Sequence, residues 1–358
     1  MRAKVWRGLG VLILLLGLYL MLWPVKISPV AWTAHPLPPL EGALAPNRLL
    51  QDMALFPTPN SHGPEDVAVD ADGRVYVGVA QGQVLRYSPD GESVDVFVDT
   101  GGRPLGLDFD VNGNLIIADA QKGLLSASPD GVLTVLCTDA GYHRLGFTDD
   151  VDVDSQNVAW FSDASYKWGH HNVMKEVLES APNGRLLKYD INEGTCKVVV
   201  SQLHFANGVA VSPDETYVLV NETMRYGVKR VFVRGPNAGR VEIFASNLPG
   251  FPDGISTSPD GTFWLALYAP RNPIVDGASE SPWVRKVLDR IPSALQPKPR
   301  RHPFLVEFDE DGSISRSVQD VDGLQFSMTT SVEQVGDSLY VGSLSEPAWG
   351  RIALANLK

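Results

Sequence analysis

Short apolar stretches alternate with polar turns along most of the chain. The first such unit predicts four strands rich in β-branched and aromatic residues, at 67–69, 75–79, 84–87 and 94–98. Turns rich in Gly, Asp and Pro separate these strands, as at Ser88-Pro89-Asp90-Gly91. Similar units begin near residues 104, 149, 207, 253 and 331, with spacings of about 40 to 60 residues and about 78 before the last. The repetition predicts one repeated four-stranded motif.

Six such units predict an all-β fold, a six-bladed β-propeller. The last unit lacks an outer strand after its third one, and we expect residues 49–55 to supply it. This closure would join the two ends of the chain and remove two open sheet edges. A β-sandwich and a parallel β-helix are alternatives that fit the strand order and the turns less well.

An uncharged apolar run of 18 residues, Gly8 to Val25, precedes the repeats. It is long enough to span a bilayer as a helix. Three cations lie before it and one nearby lysine lies after it. The positive-inside rule therefore predicts a cytoplasmic N-terminus and a propeller on the periplasmic, luminal or extracellular side. A cleaved signal peptide is the alternative, although no clear small-x-small site follows the run.

The chain thus divides into three predicted parts: a membrane anchor at 1–26, a stalk at 27–45 and a propeller at 46–358. Pro36-Leu37-Pro38-Pro39 favours a stiff stalk. No Pro/Ser-rich linker interrupts the repeats, so the propeller is expected to be one domain.

Charge and cysteine content restrict the function further. The formal net charge of −12 argues against nucleic acid as a partner, since binding it needs a basic face. The two cysteines, Cys137 and Cys196, match no metal motif and fall on outer strands of neighbouring blades. We expect two separate buried thiols, with a disulfide as the alternative.

Four phrases at the starts of innermost strands carry oxygen donors, namely Glu65, Asp149, Asn207 and Asp253. In a closed radial array of sheets, the starts of these strands point at the central axis on one face. The donors should therefore converge. A set of carboxylates and an amide, without convergent histidine or cysteine, is what Ca2+ selects. The sequence predicts a Ca2+ site formed by these four residues.

An ion at this position would polarise an ester or lactone carbonyl and stabilise the oxyanion that water attack creates. Asp149 and Asp150 are the candidates for accepting the proton of that water. His62, next to Gly63-Pro64-Glu65, is a further acid–base candidate. The alternative is an ion that only fastens the six blades together.

Two insertions, 167–182 and 270–301, carry apolar residues at helical spacing. Both fall between second and third strands, on the face of the proposed metal. They form either a lid over an apolar substrate or ordinary helical packing on the rim. The pair His170-His171 lies in the first insertion, and we interpret it as a solvated loop pair.

Longer phrases, including Phe205-Ala206-Asn207-Gly208-Val209 and Leu248-Pro249-Gly250-Phe251-Pro252-Asp253, resemble the strictosidine-synthase-like family. The resemblance covers about residues 45 to 358 and is closest to the branch of adipocyte plasma membrane-associated proteins. It implies a six-bladed propeller akin to those of paraoxonase and the gluconolactonase group. Those relatives hold a divalent ion at the axis and hydrolyse lactones or aryl esters, and Glu65, Asn207 and Asp253 match their metal ligands.

Three positions depart from the pattern that this resemblance implies. Asp149 stands where relatives usually have Asn, which adds a negative charge. Gly254 stands where several have a second Asn, which removes a donor. Thr330 stands where the alkaloid-forming synthases use a glutamate, and a threonine cannot act as that base. Strictosidine synthase activity is therefore not expected.

These observations favour a membrane-anchored, Ca2+-dependent hydrolase of lactones or aryl esters, attached to the membrane through its N-terminal helix. The alternative is a non-catalytic propeller that binds a partner or a small apolar ligand and carries a structural Ca2+.

Overall fold

The computed structural model describes residues 2–357; Met1 and Lys358, at the ends of the predicted anchor and propeller, lie outside this range. The chain begins with helix α1 (Arg2–Leu22). Its segment Lys4–Leu22 spans 19 residues, has a mean hydropathy of 2.1 and is not buried by the rest of the protein. Within the described range it is the one helix long and apolar enough to cross a membrane.

The remainder is a ring of six four-stranded antiparallel sheets. The first three blades and the strand that precedes them comprise β1 (Ala54–Pro57), β2 (Val67–Val69), β3 (Val75–Gly78), β4 (Gln83–Tyr87), β5 (Val94–Asp99), β6 (Pro104–Phe109), β7 (Leu115–Asp119), β8 (Gly123–Ala127), β9 (Leu133–Cys137), the hairpin β10 (Asp139–Ala140) and β11 (His143–Arg144), β12 (Thr148–Val153), β13 (Val158–Asp163), β14 (Gly184–Asp190) and β15 (Thr195–Leu203).

The last three blades repeat this plan. They comprise β16 (Ala206–Val211), β17 (Tyr217–Glu222), β18 (Gly227–Phe232), β19 (Val241–Ala245), β20 (Gly250–Thr257), β21 (Phe263–Pro270), β22 (Phe304–Phe308), β23 (Ile314–Gln319), β24 (Thr329–Val335), β25 (Ser338–Ser343) and β26 (Ala348–Ala353). The first strand of each blade lies innermost, and the predicted six-bladed propeller is confirmed.

The ring is closed by β1, which pairs antiparallel with β26 and supplies the outer strand of the last blade. The sequence predicted this closure, but the strand covers Ala54–Pro57 and not 49–55. The preceding residues form a turn that buries Leu50, 3 % exposed, in the apolar cluster between the fifth and sixth blades.

Side chains near the axis join each innermost strand to the next. Going round the ring, the donors and acceptors are Leu107 N to Asp66 (2.8 Å), Val153 N to Asp108 (2.7 Å), Val209 N to Asp150 (2.7 Å), Thr257 Oγ1 to Val211 O (2.6 Å), Ser256 Oγ to Val332 O (2.5 Å) and Thr330 Oγ1 to Glu65 O (2.6 Å). Buried polar groups need such partners, and here the partners also fix the blades relative to one another. Apolar clusters between the blades form the rest of the core.

A disulfide links Cys137 to Cys196 and so joins β9 of the second blade to β15 of the third. The expectation of two separate thiols is therefore wrong. The sequence placed both cysteines on adjacent outer strands, but it did not show that they face each other across the gap between the blades. The Cα atoms lie 6.3 Å apart, within the range that a disulfide spans.

The two insertions contain the remaining helices. Helix α2 (Val173–Glu179) lies in the first insertion, and α3 (Pro273–Gly277) and α4 (Pro282–Arg290) lie in the second. Single helical turns occur at Gly42–Leu44, His170–Asn172, Thr223–Arg225, Ser293–Leu295 and Leu354–Asn356. The division of the chain at residues 26 and 45 remains a prediction. Residues 28–36 lie on the propeller and are hydrogen-bonded to both insertions.

Candidate active site

The innermost strands carry bulges that determine which side chains reach each face of the ring. Register shifts occur in five of these strands, between Pro104 and Leu107, Thr148 and Val151, Ala206 and Val209, Pro252 and Ile255, and Thr329 and Val332. A bulge inserts one residue and redirects neighbouring side chains. In the third blade it directs Asp149 to the face of the insertions and Asp150 to the opposite face.

The insertions cover a cavity of about 270 Å3, called here the lid cavity. Its polar floor contains all four predicted donors, Glu65, Asp149, Asn207 and Asp253. Its walls are mostly apolar, and they include Leu105, Phe147, Phe205, Met224 and Phe251 from the blades and Val173, Met174, Val177, Leu178, Val275 and Leu288 from the three lid helices. The insertions thus lie over the donors, as a lid would.

The floor concentrates negative charge in a buried place. Glu65, Asp149, Asn207 and Asp253 are each at most 8 % exposed. Burial raises the pKa of the three carboxyl groups well above the usual range, and mutual repulsion adds to it. The charge of Asp149 raises the pKa of Glu65. In the same way, Asp253 raises the pKa of Asp149, and Glu65 raises the pKa of Asp253. Each carboxylate is therefore costly to ionise unless a cation lies between them.

The chemistry of these donors fits Ca2+. Asp149 Oδ2 is buried and has no hydrogen-bond partner within residues 2–357, so its lone pairs are available to a ligand. The set contains only oxygen donors, three of them carboxyl groups, which a bound cation would keep ionised. The donors are not close enough together to coordinate an ion in their present positions. Among the described residues, no three His, Cys, Asp or Glu side chains form a group that could hold a metal.

Arg103 is a neighbour of the site that the sequence reasoning missed. It is buried, and its Nη1 donates to Gly63 O at 2.9 Å. Its charge lowers the pKa of Glu65 and Asp149, but burial and carboxylate repulsion outweigh it in both. The charge of this guanidinium acts on two of the three floor carboxyl groups, Glu65 and Asp149, so it cannot neutralise all three. Arg103 stands directly before the first strand of the second blade, where four other blades carry the predicted donor phrases, and this position could have identified it from the sequence.

Two predicted site residues lie away from the lid cavity. Asp150 lines an axial funnel on the opposite face, and its carboxylate accepts from Val151 N (2.9 Å) and Val209 N (2.7 Å). His62 lies in a shallow surface pocket, where its Nδ1 pairs with Gln81 at 3.1 Å. The structure does not bring either residue to the floor, because the bulge redirects Asp150 and the turn at Gly63 points His62 outward.

His170 does line the lid cavity, so the interpretation of a solvated pair is wrong for this residue. Its ring stacks on Phe147 with centroids 5.7 Å apart, and its Nδ1 is buried with no partner in the part of the chain that the structure describes. Burial lowers the pKa of His170, and the charge of Arg103 lowers it further. The imidazole is therefore neutral at pH 7 and can accept a proton. His171 is exposed, as expected.

Comparison with known proteins gives two matches to family descriptions. Residues 149–236 match "Strictosidine synthase" and residues 42–87 match "Strictosidine synthase-like, N-terminal". An adipocyte plasma membrane-associated protein of Salmo salar is 32% identical over 374 residues, which cover 97% of this chain and 89% of that protein. The chain belongs to the strictosidine-synthase-like family. Strictosidine synthase-like 10 of Arabidopsis thaliana is also 32% identical, over 86% of this chain and 91% of that protein.

Solved structures similar to this strictosidine-synthase-like chain share its fold. A gluconolactonase from Xanthomonas campestris superposes with a TM-score of 0.61 at 17% identity and covers 92% of this chain and 98% of its own. Regucalcin from Agrobacterium tumefaciens, a calcium-binding protein, gives a TM-score of 0.57 at 15% identity and covers 82% and 92%. At these identities the likeness establishes the propeller alone.

Two departures of this strictosidine-synthase-like chain have a structural basis. A Cβ added at Gly254 would lie 2.5 Å from Thr330 O, so the sixth blade approaches too closely for an asparagine there. The Thr330 hydroxyl donates to Glu65 O at 2.6 Å and links the sixth blade to the first. Thr330 therefore has a structural contact beside the site and is not among the residues that line the lid cavity.

Proposed function

We propose that this protein is a membrane-anchored, Ca2+-dependent hydrolase of lactones or aryl esters. The observation that carries the proposal is the unpaired carboxylate oxygen of Asp149, buried with Glu65, Asn207 and Asp253 on the floor of an apolar cavity. Those four residues would hold the ion. When bound, Ca2+ would polarise the substrate carbonyl and stabilise the developing oxyanion.

Residues that line the lid cavity would bind the substrate, accept a proton and donate a hydrogen bond. The apolar walls hold the acyl or aryl part of the substrate and shield the floor from bulk solvent. The candidates for accepting the proton of an attacking water are the Asp149 carboxylate and His170 Nδ1, which are both buried without a partner at the cavity. Tyr268 also lines the cavity, and burial raises its pKa to about 12, so its hydroxyl stays protonated and available as a donor.

The relatives support the class of reaction and the choice of ion. One solved propeller of this fold is a gluconolactonase and another is a calcium-binding protein. Their activities belong to those proteins, and the transfer to this chain is part of the proposal.

A non-catalytic binding propeller is the second candidate. The walls of the lid cavity are mostly apolar, and Arg103 already offsets part of the negative charge on the floor. Such a cavity can hold a small apolar ligand without reacting with it, and Ca2+ would then only stabilise the ring.

We also propose that the N-terminus is cytoplasmic and that the propeller lies on the other side of the membrane. The distribution of cations around α1 supports this orientation. The Cys137–Cys196 disulfide supports it independently, because disulfides persist mainly in oxidising compartments.

A hydrolysis screen separates the two candidates. The full chain, purified in lipid nanodiscs, is assayed on phenyl acetate and a lactone series with Ca2+ or with EGTA. The hydrolase proposal expects turnover with Ca2+ and none with EGTA, and Asn207→Ala should lose turnover because a ligand of the ion is gone. Absence of turnover across the panel at full calcium occupancy favours the binding propeller.

A further inference from the structure

The segment between the anchor and the propeller crosses both insertions. Val30 N donates to Glu179 O of the first insertion at 3.0 Å, and Trp32 N donates to Ser279 O of the second at 3.2 Å. Further along, the Arg271 guanidinium donates to His35 O at 2.6 Å. Residues 28–36, called here the strap, therefore tie the two halves of the lid to each other.

The end of α1, which leads into the strap, is hydrogen-bonded to the lid helix α4. Arg290 Nε donates to Trp23 O at 2.6 Å and its Nη1 to Leu20 O at 2.9 Å, at the end of the apolar run. The Tyr19 hydroxyl donates a hydrogen bond to Arg290 O at 3.2 Å. The lid is thus bonded both to the strap and to the end of the helix that precedes it.

Trp32 is the strap residue that reaches the lid cavity, and its indole forms part of the wall. Its ring centroid lies 5.7 Å from that of Tyr226, and Arg225 Cζ lies 4.6 Å above its ring. Arg225 is itself held by Ser180 and by Met224 O (2.8 Å). Aromatic packing and a cation–π contact on one half-buried ring give it a defined position.

We propose that Trp32 determines the size of ligand that the lid cavity accepts. The indole closes the cavity on the side of the strap and limits the length of the apolar part of a ligand. The linker of the membrane anchor is then a component of the binding site. The inference deepens the proposed function, since it concerns the same cavity, but it requires only that the cavity binds apolar molecules.

Trp32→Ala should open the cavity to longer chains. Each methylene that enters newly accessible apolar space contributes about 0.8 kcal/mol, or about fourfold in affinity. Short ligands should bind more weakly because they lose contact with the indole. Trp32→Phe retains an aromatic ring and should give an intermediate profile. Leu37→Ala is the control, because Leu37 is an exposed apolar residue just beyond the strap that does not line the cavity.

The test uses phenyl alkyl ketones, which resemble aryl esters but cannot be hydrolysed. Their binding to the full chain in lipid nanodiscs is measured by titration calorimetry over a series of chain lengths, with empty nanodiscs as the blank. The expected result is a ratio of long-chain to short-chain affinity at least about fourfold higher in Trp32→Ala than in the wild type and in Leu37→Ala.

An unchanged ratio, or an equal loss at every chain length, would overturn the inference, since the indole would then only support the lid. Turnover of the matching phenyl esters is measured separately. If the ketones show the shift while no ester is hydrolysed, the specificity role of Trp32 stands and the hydrolase proposal fails.

Discussion

At the scale of single residues, the most informative group is the set of three carboxyl groups on the cavity floor. In calcium-free protein, Glu65, Asp149 and Asp253 bind protons more tightly in the folded state than in the unfolded chain, because their folded pKa values are raised. The free energy of unfolding should therefore fall as pH rises from the ordinary carboxylate range through the raised values. Bound Ca2+ keeps the groups ionised and removes this loss.

We therefore predict that Ca2+ raises Tm more at about pH 8 than at about pH 5. Differential scanning fluorimetry of calcium-free and calcium-loaded protein checks this. Asp253→Ala should lose most of the calcium response. Glu176→Gln is the control, since Glu176 is buried with a pKa raised to about 7 but is bonded to Ser165 and Asn183 away from the floor. A response that is equal at both pH values would contradict the proposed ligands.

His170 provides a second prediction at this scale. If its neutral imidazole accepts the proton of the attacking water, His170→Gln should lower kcat about 100-fold or more and leave calcium binding unchanged. His62→Gln is the matched control and should retain activity, because His62 lies outside the lid cavity. Equal kcat values for His170→Gln and the wild type would assign the proton transfer to Asp149.

The convergence of Glu65, Asp149, Asn207 and Asp253 on one cavity floor could be predicted from sequence, because their phrases recur at the starts of the innermost strands. The sequence could not show that Asp149 and Asp150 reach opposite faces of the ring, because this depends on a bulge that redirects adjacent side chains. His170 was misjudged for a related reason. Local spacing indicates a loop but does not show that the loop folds back over Phe147.

At the scale of elements, the disulfide makes the clearest prediction. It closes a loop with a sequence separation of 59 residues between the second and third blades. The double variant Cys137→Ser/Cys196→Ser should be about 2 to 4 kcal/mol less stable than the oxidised wild type. Reduction of the disulfide should lower the stability of the wild type to about that of the double variant. Thermal unfolding with and without reductant measures this. A double variant that matches the oxidised wild type would show that the bond contributes no stability.

The elements themselves were largely predictable, since strands and turns follow from residue patterns repeated six times. The position of the strap could not be predicted. The predicted stalk contains Pro36-Leu37-Pro38-Pro39, which is typical of a stiff linker. The bonds of the strap to Ser279 and Arg271 depend on how a distant insertion folds. Contacts between segments that are far apart in the chain leave no local pattern.

At the scale of the whole molecule, orientation in the membrane is the property to test. With the N-terminus in the cytoplasm, protease added to sealed membrane vesicles of cytoplasmic-side-in orientation should digest the propeller and spare an N-terminal tag. Vesicles of the reverse orientation should give the opposite result. Protection of both ends in sealed vesicles, or release of a soluble form beginning beyond Val25, would contradict a retained anchor of this orientation.

Ester hydrolysis should require an ion held by the donors on the cavity floor. This requirement is tested by measuring the rate of phenyl acetate hydrolysis and the bound calcium in the same samples of full-length protein, over a range of free Ca2+. We predict one ion per chain, a rate proportional to occupancy, and loss of both in Glu65→Ala and Asp253→Ala. A rate that persists in calcium-free protein, or full occupancy without hydrolysis, would show that the ion is not required.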